Sequence, residues 1–181
     1  IYPIVDLEKS SQMLKGLVDV LGMSHTEGEP EITLEGLLKL GIDVANYNEP
    51  MQTVISGPKQ SIMDAQPVFE EAGARRYIPL KVSAAFHSRY MKESGNAFEA
   101  FLADFQFNEP EIPVLANVTA QPYSGSDDVS GLLVQQMFSS VEWVRSVEHM
   151  LSKGVTEFVE VGPGNVLAGL IRKIQRQVAS A

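Results

Sequence analysis

The chain has 181 residues, 44% of them hydrophobic and 20% charged, a composition that suits a globular domain with a real core and excludes a disordered chain. A formal net charge of −9 argues against non-specific nucleic-acid binding. Cysteine is absent, so there is no disulfide framework and no thiolate metal site, and a reducing cytoplasm is the expected location.

No apolar run is long enough to cross a membrane, and no signal segment opens the chain. The first residues are Ile1-Tyr2-Pro3, which fits a start inside a longer protein as well as a trimmed terminus. Residues 2–7 are short, apolar and bounded, as in a strand. Residues 8–21 carry Met13, Leu14, Leu17, Val18 and Leu21 at helical spacing, with Gly22 as the stop. A polar loop over 24–30 follows, holding His25. Thr33 is placed to cap a short helix over 33–40, with Gly41 beyond its end.

Two short strands are expected at 44–46 and 53–56, separated by Tyr47-Asn48-Glu49-Pro50. A helix over 59–72 ends at Gly73, and 75–80 is a further strand. Without the 22–43 insertion the order is strand, helix, strand, strand, helix, strand. That is the split βαβ pattern of a ferredoxin-like sheet, assigned to residues 1–81.

Residues 82–86 lead from an extended segment into a helix over 89–104. Strands are expected at 113–117 and 155–161, and helices at 129–138, 141–153 and 165–178. Strands alternating with helices imply an α/β layer with a parallel sheet over 82–181. So few strands cannot close a core, so further strands are expected from sequence outside the chain.

Three histidines offer chemistry. His149 lies within an amphipathic helix and reads as a helical residue. His25 beside Ser24 reads as a surface loop, because adjacent side chains diverge and nothing nearby builds an oxyanion hole. His87 stands at the end of an extended apolar segment, before a helix that Ser88 is placed to cap. A helix N-terminus disfavours imidazolium and suits a general base. From position alone, a buried structural histidine and a base are equally good readings. There is no G-x-S-x-G, no Walker A loop, no G-x-G-x-x-G, no H-E-x-x-H and no calcium loop. Gly162-Pro163-Gly164 precedes a helix, and tight strand–helix packing is favoured there over an anion site.

Three segments carry a family resemblance. VANYNEPMQTVISG over 44–57, KVSAAFHSRYM over 81–91 and FVEVGPGNVL over 158–167 resemble, in this order and spacing, motifs of the malonyl-CoA:acyl carrier protein acyltransferases of fatty acid and polyketide synthesis. The wording around His87 is most like the freestanding enzymes that serve polyketide synthases lacking their own such domain. The resemblance covers about residues 44–178. It implies an α/β fold with a ferredoxin-like small lobe (1–81) and the C-terminal part of a hydrolase-like large lobe (82–181). The departures are the 22–43 insertion, Asn165 for lysine, Glu142 for arginine before Trp143, and Ala85 two residues before His87.

The resemblance further implies malonyl transfer from malonyl-CoA to the phosphopantetheine thiol of acyl carrier protein, without cofactor or metal. His87 is then the base and the backbone carbonyl of Ser139 orients it. Phe86, Asn46 and Asn48 bind substrate, and Arg89 helps dock the carrier protein. The serine nucleophile and the carboxylate-binding arginine would lie in an N-terminal part outside this chain. Two alternatives are an acyl-carrier-protein thioester hydrolase on the same fold and a non-catalytic carrier-protein docking module.

Overall fold

The computed structural model describes residues 3–7 and 34–180. The expected helix over 8–21, its stop at Gly22 and the loop carrying His25 lie outside the described residues. Strands β1 (Pro3–Leu7), β2 (Asp43–Glu49), β3 (Gln52–Ser56) and β4 (Ala74–Pro79) form a sheet in the order β2-β3-β1-β4. Every neighbouring pair is antiparallel. Helix α1 (Leu34–Lys39) belongs to the 22–43 insertion that the pattern left out, while the strand order and α2 (Lys59–Glu71) match the ferredoxin-like pattern, whose first helix lies outside the described residues.

Its core joins Leu37, Ile42, Val44, Ile55, Ile62, Phe69 and Tyr77. Apolar residues from one sheet face and from both helices thus bury against each other. The Tyr77 hydroxyl donates to the carbonyl of Ile62 at 2.5 Å, satisfying the one polar atom its ring brings inside. The β2–β3 turn is tighter than the sequence suggests. Only Pro50 and Met51 connect the strands, because Asn48 Nδ2 donates to Gln52 Oε1 (3.2 Å) and the Met51 amide donates to Glu49 Oε2 (3.0 Å).

In the second half, a 3₁₀ turn (Arg89–Met91) leads into α3 (Lys92–Leu102), followed by α4 (Ser126–Gln135), α5 (Trp143–Ser152) and α6 (Val166–Ser180). Helices α5 and α6 close a second core around Val147, Ile171 and Ile174. The strands expected at 113–117 and 155–161 do not form ladders. The first makes a single bridge, Leu115 to Pro122. A strand needs a neighbour for its amides and carbonyls, and the described residues supply none there. Several of their apolar side chains stay uncovered: Val114, Val159 and Val161 are 44%, 76% and 93% exposed, while Ala116 is buried.

The helix expected from 141 begins at Trp143 instead, because Val141 is drawn into the sheet edge. Tyr47 donates its amide to the Val141 carbonyl (3.0 Å), and the Val141 amide donates to Ala45 (2.8 Å). Ser140 Oγ donates to the Val44 carbonyl (2.6 Å). Strand β2 is therefore where the two halves of the chain meet. No helix among the described residues is long and apolar enough to cross a membrane.

Candidate active site around His87

His87 has φ +55°, the left-handed region that non-glycine residues seldom occupy. Its amide donates to the Met137 carbonyl (3.1 Å), and its ring Nδ1 lies 2.7 Å from the Gln136 carbonyl. A carbonyl only accepts, so Nδ1 carries the proton. In the neutral ring the lone pair then sits on Nε2, which has no hydrogen-bond partner among the described residues. That tautomer is the one a general base needs.

The orienting carbonyl is Gln136's and not Ser139's. Helix α4 ends in a tight last turn, with Met137 and Phe138 donating to Val134 and Gln135 three residues back. The carbonyls of Gln136 and Met137 lie beyond that turn and take His87 as their partner. Ser139 lies on the stretch that crosses to β2. Asn117 Nδ2 donates to Gln136 Oε1 (3.2 Å), holding the side chain of the residue whose carbonyl grips the ring.

Ser88 caps the following turn, as its position suggests. Its Oγ accepts from the Tyr90 amide (3.4 Å) and donates to the Ala85 carbonyl (2.5 Å). The one-sided electrostatic expectation does not hold, however. His87 is bracketed by the start of one helical segment and the C-terminal end of α4, whose partial charges are opposite.

Arg89 also differs from expectation. In place of a cation presented to a partner, its guanidinium grips Asp43. Nε lies 3.0 Å from each carboxylate oxygen, and Nη2 also donates to Oδ1. The Arg89 amide adds a bond to Asp43 Oδ2 (2.8 Å). These bonds to Asp43 raise the guanidinium's affinity for its proton further. Phe86, one residue before the base, is 41% exposed. Asn46 sits on β2 opposite Val141, at the seam between the halves. Asn48 uses its amide within the hairpin.

Several residues that shape this region were not singled out from sequence. Asp43 and Gln136 are two. Glu49 is a third: it is 3% exposed, and Oε1 accepts from Lys173 Nζ on α6 at 2.6 Å. Burial pushes the Tyr47 phenol up to about 12, with the charge of Glu142 adding to it. Glu160 accepts from the amides of Leu167 and Ala168 (3.3 and 2.9 Å), so the first turn of α6 already has an internal anion. The tight strand–helix packing expected at Gly162-Pro163-Gly164 is not seen: no strand forms before the turn, and a Cβ at Gly162 or Gly164 would meet nothing within 4 Å. Among the described residues no group of histidine and carboxylate side chains is placed to hold a metal.

No family model matches the chain. It is 46% identical over 168 residues to the polyketide biosynthesis malonyl CoA-acyl carrier protein transacylase PksC of Bacillus subtilis, covering 90% of this chain and 58% of that protein. The crystal structure of malonyl CoA-acyl carrier protein transacylase from Burkholderia pseudomallei matches with TM-score 0.75 and 36% identity, over 97% of this chain and 56% of that one. A malonyl-transacylase solved in complex with its type II acyl carrier protein matches with TM-score 0.75 and 28% identity, over 97% of this chain and 52% of that one. The chain spans less than two thirds of the length of the curated relatives it matches. In sequence and fold together, the chain is similar to the C-terminal part of the malonyl-CoA:acyl carrier protein transacylases and shares that part of their α/β fold.

Proposed function

We propose that this chain supplies the general base of a malonyl-CoA:acyl carrier protein transacylase, acting in polyketide or fatty acid synthesis. The observation that carries the reading is the ring of His87, whose Nδ1–H is held by the Gln136 carbonyl so that Nε2 is left to take a proton. The nucleophile in this reading is a serine outside the chain. Its Oγ attacks the malonyl thioester carbon as Nε2 removes its proton. The C–S bond breaks, and the imidazolium returns the proton to the coenzyme A sulfur. In the second half-reaction the phosphopantetheine thiol gives its proton to Nε2 and attacks the acyl-serine ester. The serine oxygen leaves with that proton.

A backbone carbonyl suffices to orient the base, since its task is to fix tautomer and ring plane. Phe86 would border the acyl group, and Asn46 is the better placed of the two asparagines to meet substrate. The exposed apolar side chains of Ile112, Val114, Val155, Val159 and Val161 fit a large-lobe sheet completed by the N-terminal part of the protein. An acyl carrier protein as partner is supported by the related transacylase solved with its carrier.

The test is covalent labelling. With labelled malonyl-CoA, the longer protein should become acylated on a serine outside residues 1–181, while the isolated chain takes no label. A stable acyl adduct on any serine within the chain would overturn the reading.

A further inference from the structure

We infer that Asp43 is a positioning residue for His87, acting through Arg89; this rests on the reading of His87 as the base. The bonds from Gln136 and Met137 hold His87 from the α4 side only. A non-glycine residue at φ +55° persists only where its surroundings determine it from both sides. The second restraint is Asp43. Ser88 Oγ serves the Tyr90 amide, which leaves the Arg89 amide at the start of the turn without an intrahelical partner. Asp43 Oδ2 accepts it at 2.8 Å, while the same carboxylate is forked by the guanidinium.

The next residue repeats the attachment. The Tyr90 hydroxyl donates to the Gly41 carbonyl (2.8 Å). Gly41 has φ +71°, and a Cβ there would stand 2.8 Å from that hydroxyl, so the corner accepts no side chain. The attachments close on themselves. Asp43 opens β2, β2 binds Ser140 and Val141, and that stretch leaves the end of α4 whose carbonyls hold the ring and the amide of His87. Ring, turn and carbonyls are thereby referenced to one strand. An exposed ion pair that only tethered two lobes would have no reason to include the Arg89 amide.

The experiment uses the longer protein that self-acylates. Asp43→Ala should lower the maximal rate of self-acylation about ten- to a hundredfold, the scale of a sub-ångström to 1 Å misplacement. The malonyl-CoA concentration giving half that rate should not change. Asp43→Asn, which still offers an acceptor to the Arg89 amide, should recover part of the loss. The ¹⁵N resonances of the His87 ring should shift in Asp43→Ala away from the Nδ1–H pattern. Arg89→Ala carries the same test where Asp43→Ala does not fold, with a loss in the same direction. A wild-type rate and wild-type ring spectrum in the folded variant overturn the inference, whatever happens to its melting temperature. The two readings fail separately: loss of activity in His87→Ala beside a wild-type Asp43→Ala sinks only the positioning role.

Discussion

Gly95 sits inside α3 with its back to Phe138, the residue that follows the two carbonyls holding His87. Gly95→Ala sets two effects against each other. In an open helix interior the change gains about 1 kcal/mol, since alanine loses less conformational freedom. Here the new Cβ would lie 2.8 Å from both Cδ1 and Cε1 of Phe138. Carbon atoms prefer roughly 3.5–4.0 Å, and overpacking of this kind costs about 1–3 kcal/mol. The neighbour is the edge of a rigid ring, so the clash should win by about 1 kcal/mol. That lowers the melting temperature by roughly 2–4 °C in a domain of this size. The ring's displacement should also shift the α4 end, and with it the Gln136 carbonyl, so self-acylation slows with little change in apparent affinity for malonyl-CoA. Thermal unfolding and single-turnover acylation of Gly95→Ala, alone and with Phe138→Leu, measure both effects. The smaller side chain should restore stability and rate together. A melting temperature raised in Gly95→Ala alone would mean that the ring yields freely, and the reasoning would be refuted.

Lys173→Met leaves the buried Glu49 carboxylate, among the described residues, with only the Met51 amide, and should cost about 1–3 kcal/mol in urea unfolding. The figure is reduced from that of a fully buried pair because Lys173 is half exposed. Adding Glu49→Gln should recover most of it; a loss under about 0.5 kcal/mol in Lys173→Met would remove the ion pair from the account. Phe86→Ser should move the ratio of specificity constants toward methylmalonyl-CoA by no more than about 1–3 kcal/mol, read by direct competition of the two esters. An unchanged ratio with activity intact would place Phe86 away from the acyl group. Burial holds the Glu142 carboxyl above its ordinary range, with Arg145 opposing. A folded acid of that kind is stabilising while protonated and loses that contribution as pH rises through its folded value. Glu142→Gln should therefore stabilise the protein near neutral pH, with the gain fading in acid below the ordinary range of glutamate. A gain independent of pH would assign the effect to packing.

The small lobe was legible because each of its described elements is local. Ile62, Ala65 and Phe69 recur at helical spacing, and glycines mark the ends. The strands expected at 113–117 and 155–161 rested on apolar runs alone and do not form, since pairing is a property of two segments and the described residues hold only one. His87 was identified from its motif, whereas its carbonyl partner was misplaced by three residues. Spacing does not reveal that α4 ends in a tight turn. Asp43 and Arg89 are 46 residues apart in sequence and carry no periodic signal, so the pairing of Arg89 with Asp43 was visible only in three dimensions. The pairing of Glu49 with Lys173, 124 residues on, is of the same kind.

The central claim is that His87 takes the proton of the attacking hydroxyl and thiol. Rapid-quench measurement of malonyl-enzyme formation, followed by transfer to carrier protein, tests it in the longer protein carrying His87→Ala. Both half-reactions should slow by about 10²–10⁴-fold, because one base serves both. A variant that forms and passes on the malonyl group at the wild-type rate would contradict the account.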